Sequence, residues 1–485
     1  MKRSVQFLSS LIFISWSSFL HASEHSCKTI KQLRKENLTS ALDASGFRFE
    51  LDPEKGNQFE KLQVDFSKVK IVGLGEATHG TSEFSIVRHQ IFRYLVERHG
   101  FRVFILEDEW LGGLHFNEAL AKGESIENAL SKLNKKGTFL TKETLELFKW
   151  IEAFNKNHKI DPIVVYGADA QAGNILLESF HYLRQKLPEQ STEIAKMEGL
   201  TKSLFAQLAD PALLETVSID TVKASLKAAR KFETDITNSI SRQNKQEARL
   251  LGLARFPSQI LQKISAELVE GLAAAQGPAV LDAIFADQEL VSLFDPSCLK
   301  GSFSCRDFSM AKNIKLAIDI EGKGAVFWAH NGHVGRFLSH PDIIWANPKT
   351  EDTKIVDNTG AFLNEFYGQG YFAVITDFHK GSFLARDASD GHLRAWEVES
   401  AIDGVPSSIP NLIHGLGHEN FAINLRKKAK YPADKLFKVP QAIRIVGATF
   451  SETSNTLEES YMTAILPKYA DTYIYFENST PHSPL

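Results

Sequence analysis

Between Lys68 and Asp169, short apolar runs alternate with amphipathic helical stretches, and this rhythm limits the possible folds more than any other feature of the chain. Lys68–Val72, Val103–Leu106 and Pro162–Tyr166 are brief, rich in β-branched and aromatic residues, and bounded by turn residues, as strands are. Glu83–Arg98 places Phe84, Val87, Ile91, Tyr94 and Leu95 on one helical face. Strands separated by helices of this length pair in parallel, because a parallel neighbour needs a long crossover. Strands resume at Ala325–Ala329, Tyr371–Thr376, Ala442–Val446 and Tyr473–Phe476. The pattern predicts an α/β protein with a mostly parallel sheet flanked by helices.

A different composition fills the middle of the chain. From Asn174 to about Leu293 the sequence is helical by pattern and rich in Leu, Ala, Lys and Glu, with Pro188, Pro211, Pro257 and Pro278 dividing successive helices. The predicted organisation is a signal peptide (1–22), a first part of the α/β catalytic core (23–173), a large inserted helical subdomain (174–295) and a second part of the core (296–485). A polar helix is expected around Thr29–Ala44, and the last ten residues read as a polar tail.

The signal peptide rests on Lys2 and Arg3, the apolar and hydroxyl-rich run Ser4–Leu20, and Leu20-His21-Ala22-Ser23, cut after Ala22. An uncleaved signal anchor is the alternative. No later stretch reaches the roughly 18 apolar residues of a membrane span, so the mature chain is expected to be exported, periplasmic or secreted, without a stable span. Of three cysteines, Cys298 and Cys305 could close a small loop in an oxidising compartment, leaving Cys27 over. Without a Cys-x-x-Cys pair, a structural zinc site is not expected. A net charge of −4 provides no basic footprint for nucleic acid and no bulk attraction to anionic membranes.

Several strands lead straight into ionisable residues. Gly73-Leu74-Gly75 precedes Glu76 and His79, Val103–Leu106 precedes Glu107, and Pro162–Tyr166 precedes Asp169. Ala325–Ala329 leads to His330 and His333, and Tyr371–Thr376 to Asp377 and His379. In a parallel sheet these ends share one edge, where α/β proteins bind ligands. The glycines suit a sharp turn and close approach to a ligand. A carboxylate beside a histidine can hold one tautomer and raise its basicity. Plainer readings exist for some of these residues. Glu107 opens the acidic run Glu107-Asp108-Glu109, which suits a solvated loop. Arg88, off the ideal i,i+4 spacing from Glu83, reads as a solvated surface charge. Asp377 and His379 read as loop residues. There is no Gly-x-Ser-x-Gly elbow, no His-Glu-x-x-His helix and no P-loop. Thr78 stands where a dinucleotide fingerprint needs its third glycine.

Taken together, these motifs resemble the erythromycin esterase family. The resemblance is carried by Gly75-Glu76-Ala77-Thr78-His79-Gly80-Thr81-Ser82-Glu83-Phe84 with Arg88, by Leu106-Glu107, and by Asp169-x-Gln171. Arg306-Asp307-x-x-Met310-Ala311, Trp328-Ala329-His330-Asn331-Gly332-His333-Val334 and Tyr469-Ala470-Asp471-Thr472-Tyr473-Ile474 complete it, in order, from about residue 60 to 480. It implies an α/β core with a helical insertion, and opening of an ester or lactone without an acyl-enzyme. Carried over by motif, His79 is the general base on water. Glu76 and Glu107 orient base or water, and Arg88, His330 and His333 stabilise the oxyanion or position a small-molecule substrate. A macrolide met before it enters the cell, as in antibiotic resistance, and an envelope glycan, lipid or lactone are equally open as substrates.

No cofactor is expected on this reading. The alternative is a metal-dependent hydrolase, since the wider superfamily includes Tiki-type metalloproteases. Its divalent metal ligands would be Glu76, His79, Glu107 and His330. A haem-binding protein is a more distant alternative, because haem-binding iron-uptake proteins also belong to that superfamily.

Overall fold

The computed structural model describes residues 40–133, 140–171, 174–209, 218–276, 279–336, 357–398, 409–429, 431–439, 441–451 and 460–485. The predicted signal peptide, Cys27, Pro211, Pro278 and all but the end of the Thr29–Ala44 helix lie outside these residues.

In chain order the strands are β1 (Gly46–Arg48), β2 (Ile71–Glu76), β3 (Val103–Glu109), β4 (Val164–Asp169), β5 (Ala325–His330), β6 (Tyr371–Asp387), β7 (Leu393–Val398), β8 (Asn420–Asn424), β9 (Gln441–Arg444), β10 (Thr449–Phe450), β11 (Tyr461–Ala464) and β12 (Thr472–Ser479). The main sheet is ordered β1-β8-β12-β6-β2-β5-β3-β4, with β7 and β10 attached to β6. Its run from β12 to β4 is parallel throughout. β1, β8 and β7 join antiparallel at the margins.

Both faces of the parallel run are buried, which is why its strands read as unbroken apolar stretches. Val72, Leu74, Phe104, Leu106, Val326 and Trp328 face one core, shared with Phe84, Val87 and Ile91 of α1 (Ser82–His99) and with Leu147 and Phe148 of α2 (Lys142–Asn157). Ile71, Val103, Ile105, Tyr166 and Phe327 face the other. There the helical segment packs, including α3 (Leu251–Gln276), together with α4 (Ser302–Glu321). Pro257 does not divide helices as the sequence predicts; it lies inside α3. Leu253, Ala254, Phe256, Ile260 and Leu261 are buried around it, and this packing holds the helix continuous despite the missing N–H.

Three expectations about strands are corrected. Ala442–Val446 yields β9, which among the described residues pairs with β11 in a separate two-stranded sheet. The glycines do not end β2: the ladder continues to Glu76, opposite His330 of β5. Asp377 and His379 are buried inside the long strand β6 and are not loop residues. Glu76, Asp377 and His379 find ionic or hydrogen-bonding partners inside the protein, so a polar residue does not mark the end of a strand.

β2 and β5 are neighbours, and the helices that follow them leave toward opposite faces. α1 packs on one core, while Val334 of α5 (Asn331–Val334) packs in the other. A crevice forms beyond the strand ends where adjacent connections diverge in this way.

Candidate active site

The first wall of this crevice is built within one strand–turn–helix unit. Glu76 ends β2, and one of its carboxylate oxygens meets His79 Nδ1 at 2.6 Å. The other forms an ion pair with Arg88 Nη1 at 2.6 Å. Arg88 is only 1% exposed, which corrects its reading as a solvated charge. One and a half turns into α1, it points toward the sheet, its guanidinium 3.6 Å above the Trp328 ring, and Nε donates to the Phe84 carbonyl at 2.9 Å. Burial alone would raise the Glu76 carboxyl, but Arg88 and His79 outweigh it and hold it below the usual range. Burial pushes Arg88 down to about 10, still a cation at neutral pH.

The chain's last residues complete this wall, where the sequence suggested only a polar tail. Gly80 O accepts from His482 N at 2.9 Å, and Ser483 O from Lys142 N at 2.8 Å. His482 is thereby buried against α1. Arg88 Nη2 donates to Ser85 Oγ at 3.0 Å, which leaves the hydroxyl to donate to His482 Nε2 at 2.8 Å. Burial pushes His482 down to about 4, so it is a neutral acceptor. A continuous polar chain runs His482–Ser85–Arg88–Glu76–His79.

The second wall is assembled from distant segments. Glu107, Asp108 and Glu109 are all buried in β3, not solvated in a loop. Glu107 accepts from the His330 backbone N–H at 2.9 Å and from Arg306 Nη2 at 3.1 Å. Arg306, in the second turn of α4, grips both Asp169 oxygens through Nε at 2.8 Å and Nη2 at 2.7 Å. With its carboxamide oxygen turned toward Arg306, Gln171 accepts from Nε and Nη2 at 3.1 and 3.0 Å. Burial works against the Arg306 cation, but Asp169 and Glu107 more than restore it, and its pKa is raised. His333 Nδ1 donates to Asp307 at 2.8 Å, and Nε2 accepts from Arg306 Nη1 at 3.2 Å. Asp307 is fixed by Thr359 N and Oγ1 at 2.6 and 2.8 Å. Cys298 and Cys305 form a disulfide at the start of α4, next to Arg306.

His330 lies between the walls, its ring centroid 5.4 Å from that of His79. Burial, then the neighbouring His79, push it down to about 4, so it is neutral at pH 7. Its Nδ1 accepts from Gly332 N at 3.2 Å, which places the proton on Nε2. Gly75 has an ordinary backbone, and its glycine serves close packing: a Cβ there would lie 2.3 Å from Asn331 Oδ1. Asn331 in turn donates to Thr376 O at 2.8 Å, which fixes the start of α5 and both histidines around it.

Glu76, His79, Glu107, Arg306, His330 and His333 line a cavity of about 280 Å³ together with Gln171, Trp328, Gly447 and Ala448. Five of the six predicted site residues therefore meet at one cavity, and Arg88 stands behind Glu76. The sequence reading assigned no role to Arg306, Asp307, Thr359, Ser85 or His482. Arg306 and Asp307 had a signal, as the adjacent pair in a family motif. Ser85, Thr359 and His482 had none, because their roles depend on contacts across 397 and 52 residues.

The predicted metal ligands Glu76, His79, Glu107 and His330 do not fit an ion. Glu76 is spent on Arg88 and His79, Glu107 on Arg306 and a backbone N–H, and His330 Nδ1 accepts from Gly332. Two arginine cations, buried Arg88 and half-buried Arg306, supply the positive charge that a metal would bring. Among the described residues, no helix is long and apolar enough to cross a membrane.

The family model for erythromycin esterase matches residues 96–479. Erythromycin esterase type I from Escherichia coli is 46% identical over 59 residues, 12% of this chain and 14% of that protein. Erythromycin esterase type II from Escherichia coli is 25% identical over 123 residues, 25% of this chain and 29% of that protein. The matched stretches thus span less than a third of either relative. Among solved structures, a Bacillus cereus protein superimposes with a TM-score of 0.69 at 20% identity, covering 93% of this chain and 100% of that one. A succinoglycan biosynthesis protein follows at 0.68 and 17%, covering 93% and 99%. A histidine-to-asparagine mutant of the erythromycin esterase EreC, in its open conformation, matches at 0.60 and 16%, covering 90% and 97%. At these identities the structures share the fold, and the family follows from the long model match: the chain belongs to the erythromycin esterase family.

Proposed function

We propose that the protein is an esterase-like hydrolase that opens an ester or lactone of a small molecule with water activated by His79. The observation that carries this reading is the 2.6 Å Glu76–His79 pair on the cavity wall. Glu76 holds the Nδ1–H tautomer, so the basic lone pair lies on Nε2. His79 Nε2 takes a proton from water as the oxygen attacks the carbonyl carbon. The oxyanion that forms faces Arg306 and the His330 Nε2–H, which gives up its long 3.4 Å hydrogen bond to the Ala77 carbonyl to meet it. Collapse breaks the acyl–oxygen bond, and the His79 imidazolium returns its proton to the leaving alkoxide. Glu107 and His333 serve by positioning Arg306 and the His330 backbone. No serine, threonine or cysteine is among the described residues lining the cavity, which favours water over a covalent acyl carrier at those positions.

Export is part of this proposal. The N-terminal segment supports it, and so does the Cys298–Cys305 disulfide, since such bonds persist in oxidising compartments. Macrolides, lactones and simple aryl esters are the classes to test.

The test is a screen of those classes with wild-type and His79→Ala protein, followed by a single turnover in H₂¹⁸O. The expected result is ¹⁸O in the product acid from the first turnover, with His79→Ala slowed about 10²–10⁴-fold. Full activity of His79→Ala, or an acyl-protein adduct by mass spectrometry, would overturn the proposal.

A further inference from the structure

Away from the cavity, another group of imidazole and carboxylate donors converges. His379 of β6 and Glu477 of β12 lie on parallel neighbouring strands, one residue beyond the Phe378–Phe476 pair. α6 (Ile409–His414) ends against them and contributes His414. His379 Nδ1 is 3.6 Å from Glu477 Oε1, and His414 Nδ1 is 2.8 Å from the same oxygen. The two imidazoles stack with centroids 4.0 Å apart and planes 7° from parallel. Donor atoms of all three residues lie within 4.8 Å of one another. The Tyr475 hydroxyl donates to the other Glu477 oxygen at 2.5 Å, so the carboxylate is held with Oε1 toward the histidines.

We infer that His379, His414 and Glu477 form a binding site for one divalent transition-metal ion, with Zn²⁺ the best match. Imidazole and carboxylate oxygen are the ligand types such ions take, and a water would complete a four-coordinate shell. Ligands about 2.0–2.1 Å from a tetrahedral ion are separated by roughly 3.3 Å. The His379–Glu477 spacing already suits that value. The His414–Glu477 contact has to open by about half an ångström, and the His414 ring has to turn out of its stack on His379, because parallel rings cannot aim their lone pairs at one ion; the 49% exposed His414 side chain has that freedom. That exposure also provides the entry path, while buried His379 anchors the site.

The site ties a short helix to two strands of the main sheet. None of its residues lines the catalytic cavity, so the inference stands apart from the proposed hydrolysis. Bound metal is expected to stabilise the native state by mass action.

The experiment uses the full chain stripped with chelator, then titrated with ZnCl₂ by calorimetry and with CoCl₂ by visible absorption. One equivalent is expected to bind with micromolar affinity, to raise Tm, and to show the intense cobalt bands of a four-coordinate ion. His414→Ala, at an exposed position, is expected to weaken binding at least tenfold without unfolding the protein, and His379→Ala and Glu477→Gln to do the same. His79→Ala is expected to leave metal binding unchanged. No saturable binding below millimolar Zn²⁺ would overturn the site, as would wild-type affinity in His414→Ala. Loss of binding in His79→Ala but not in His414→Ala would place the ion at the catalytic cavity and overturn it as well.

Discussion

The two walls of the cavity are built on different principles. The Glu76–His79–Arg88 wall is laid down by one strand–turn–helix unit whose polar contacts span three and twelve positions of sequence, and only the docked tail at His482 reaches it from far away. The facing wall brings Glu107, Asp169, Arg306, Asp307 and His333 together from four elements, with contacts such as Arg306–Glu107 that span 199 residues. The local wall holds one carboxylate between a base and a cation. The assembled wall places one cation among several carboxylates. Local geometry thus presents the proposed base, while tertiary packing supplies the buried positive charge opposite it.

This contrast leads to a graded set of expectations. His79→Ala should cause the largest loss of activity, about 10²–10⁴-fold in kcat with the fold intact, as removal of a positioned base does. Near-normal thermal unfolding alongside the kinetics would check the second half. Arg306→Met should fail on both counts. Activity should fall about 10²–10³-fold if its guanidinium faces the oxyanion, and stability by about 3–5 kcal/mol, because Asp169 and Glu107 are left buried without their cation. Denaturant titration measures the second effect. If Arg306→Met were as stable as wild type, the distinction between the walls would collapse.

Coupling sharpens the comparison further. Arg88→Met should cost little once His79 is already Ala, since Arg88 acts through Glu76 on that base, and a double-mutant cycle would show the non-additivity. His482→Ala tests the far end of the same polar chain. We expect kcat to fall by about tenfold with KM unchanged, and His482→Gln, which retains an acceptor, to recover most of the loss.

A further expectation concerns pH. Burial depresses His89, His330 and His482 to about 4 from an ordinary 6.5. Between those values the unfolded chain binds more protons than the native one, so stability falls as pH is lowered from about 6.5 to about 4. Tm measured across that window should decline steadily, and a flat profile would contradict neutral buried histidines.

How much of this could be read from the sequence depended on range. Alternating apolar strands and helices located the central sheet, because burial on both faces demands unbroken apolar runs. The same rule missed β1, β7 and β8, marginal strands with mixed patterns whose pairing depends on distant partners. Glu76, His79, Glu107, His330 and His333 were found because each ends or follows a recognisable strand. Arg88 was misjudged on its surroundings, since charge spacing along a helix does not reveal that Trp328 and Glu76 wait on the inner side. His482 was invisible, because nothing in Pro481-His482-Ser483 records that the tail docks on Gly80 and Lys142.

The glycines of β2 also mean something different in the structure. Gly73 and Gly75 invited a reading as a ligand-binding turn. In the structure they make room for Tyr371, Val334 and Asn331, and that close packing seats the second histidine motif. The amino-acid sequence by itself determined the α/β class, the strand ends that carry acid–base groups and the histidine–carboxylate pair, because these follow from local periodicity and short spacing. Only the tertiary structure decided which charges are brought together, that Arg306 and His79 line one cavity, and that the tail docks beside Ser85 and Arg88. Those pairings arise when packing removes water from groups far apart in sequence, and local pattern holds no record of which partner will be there.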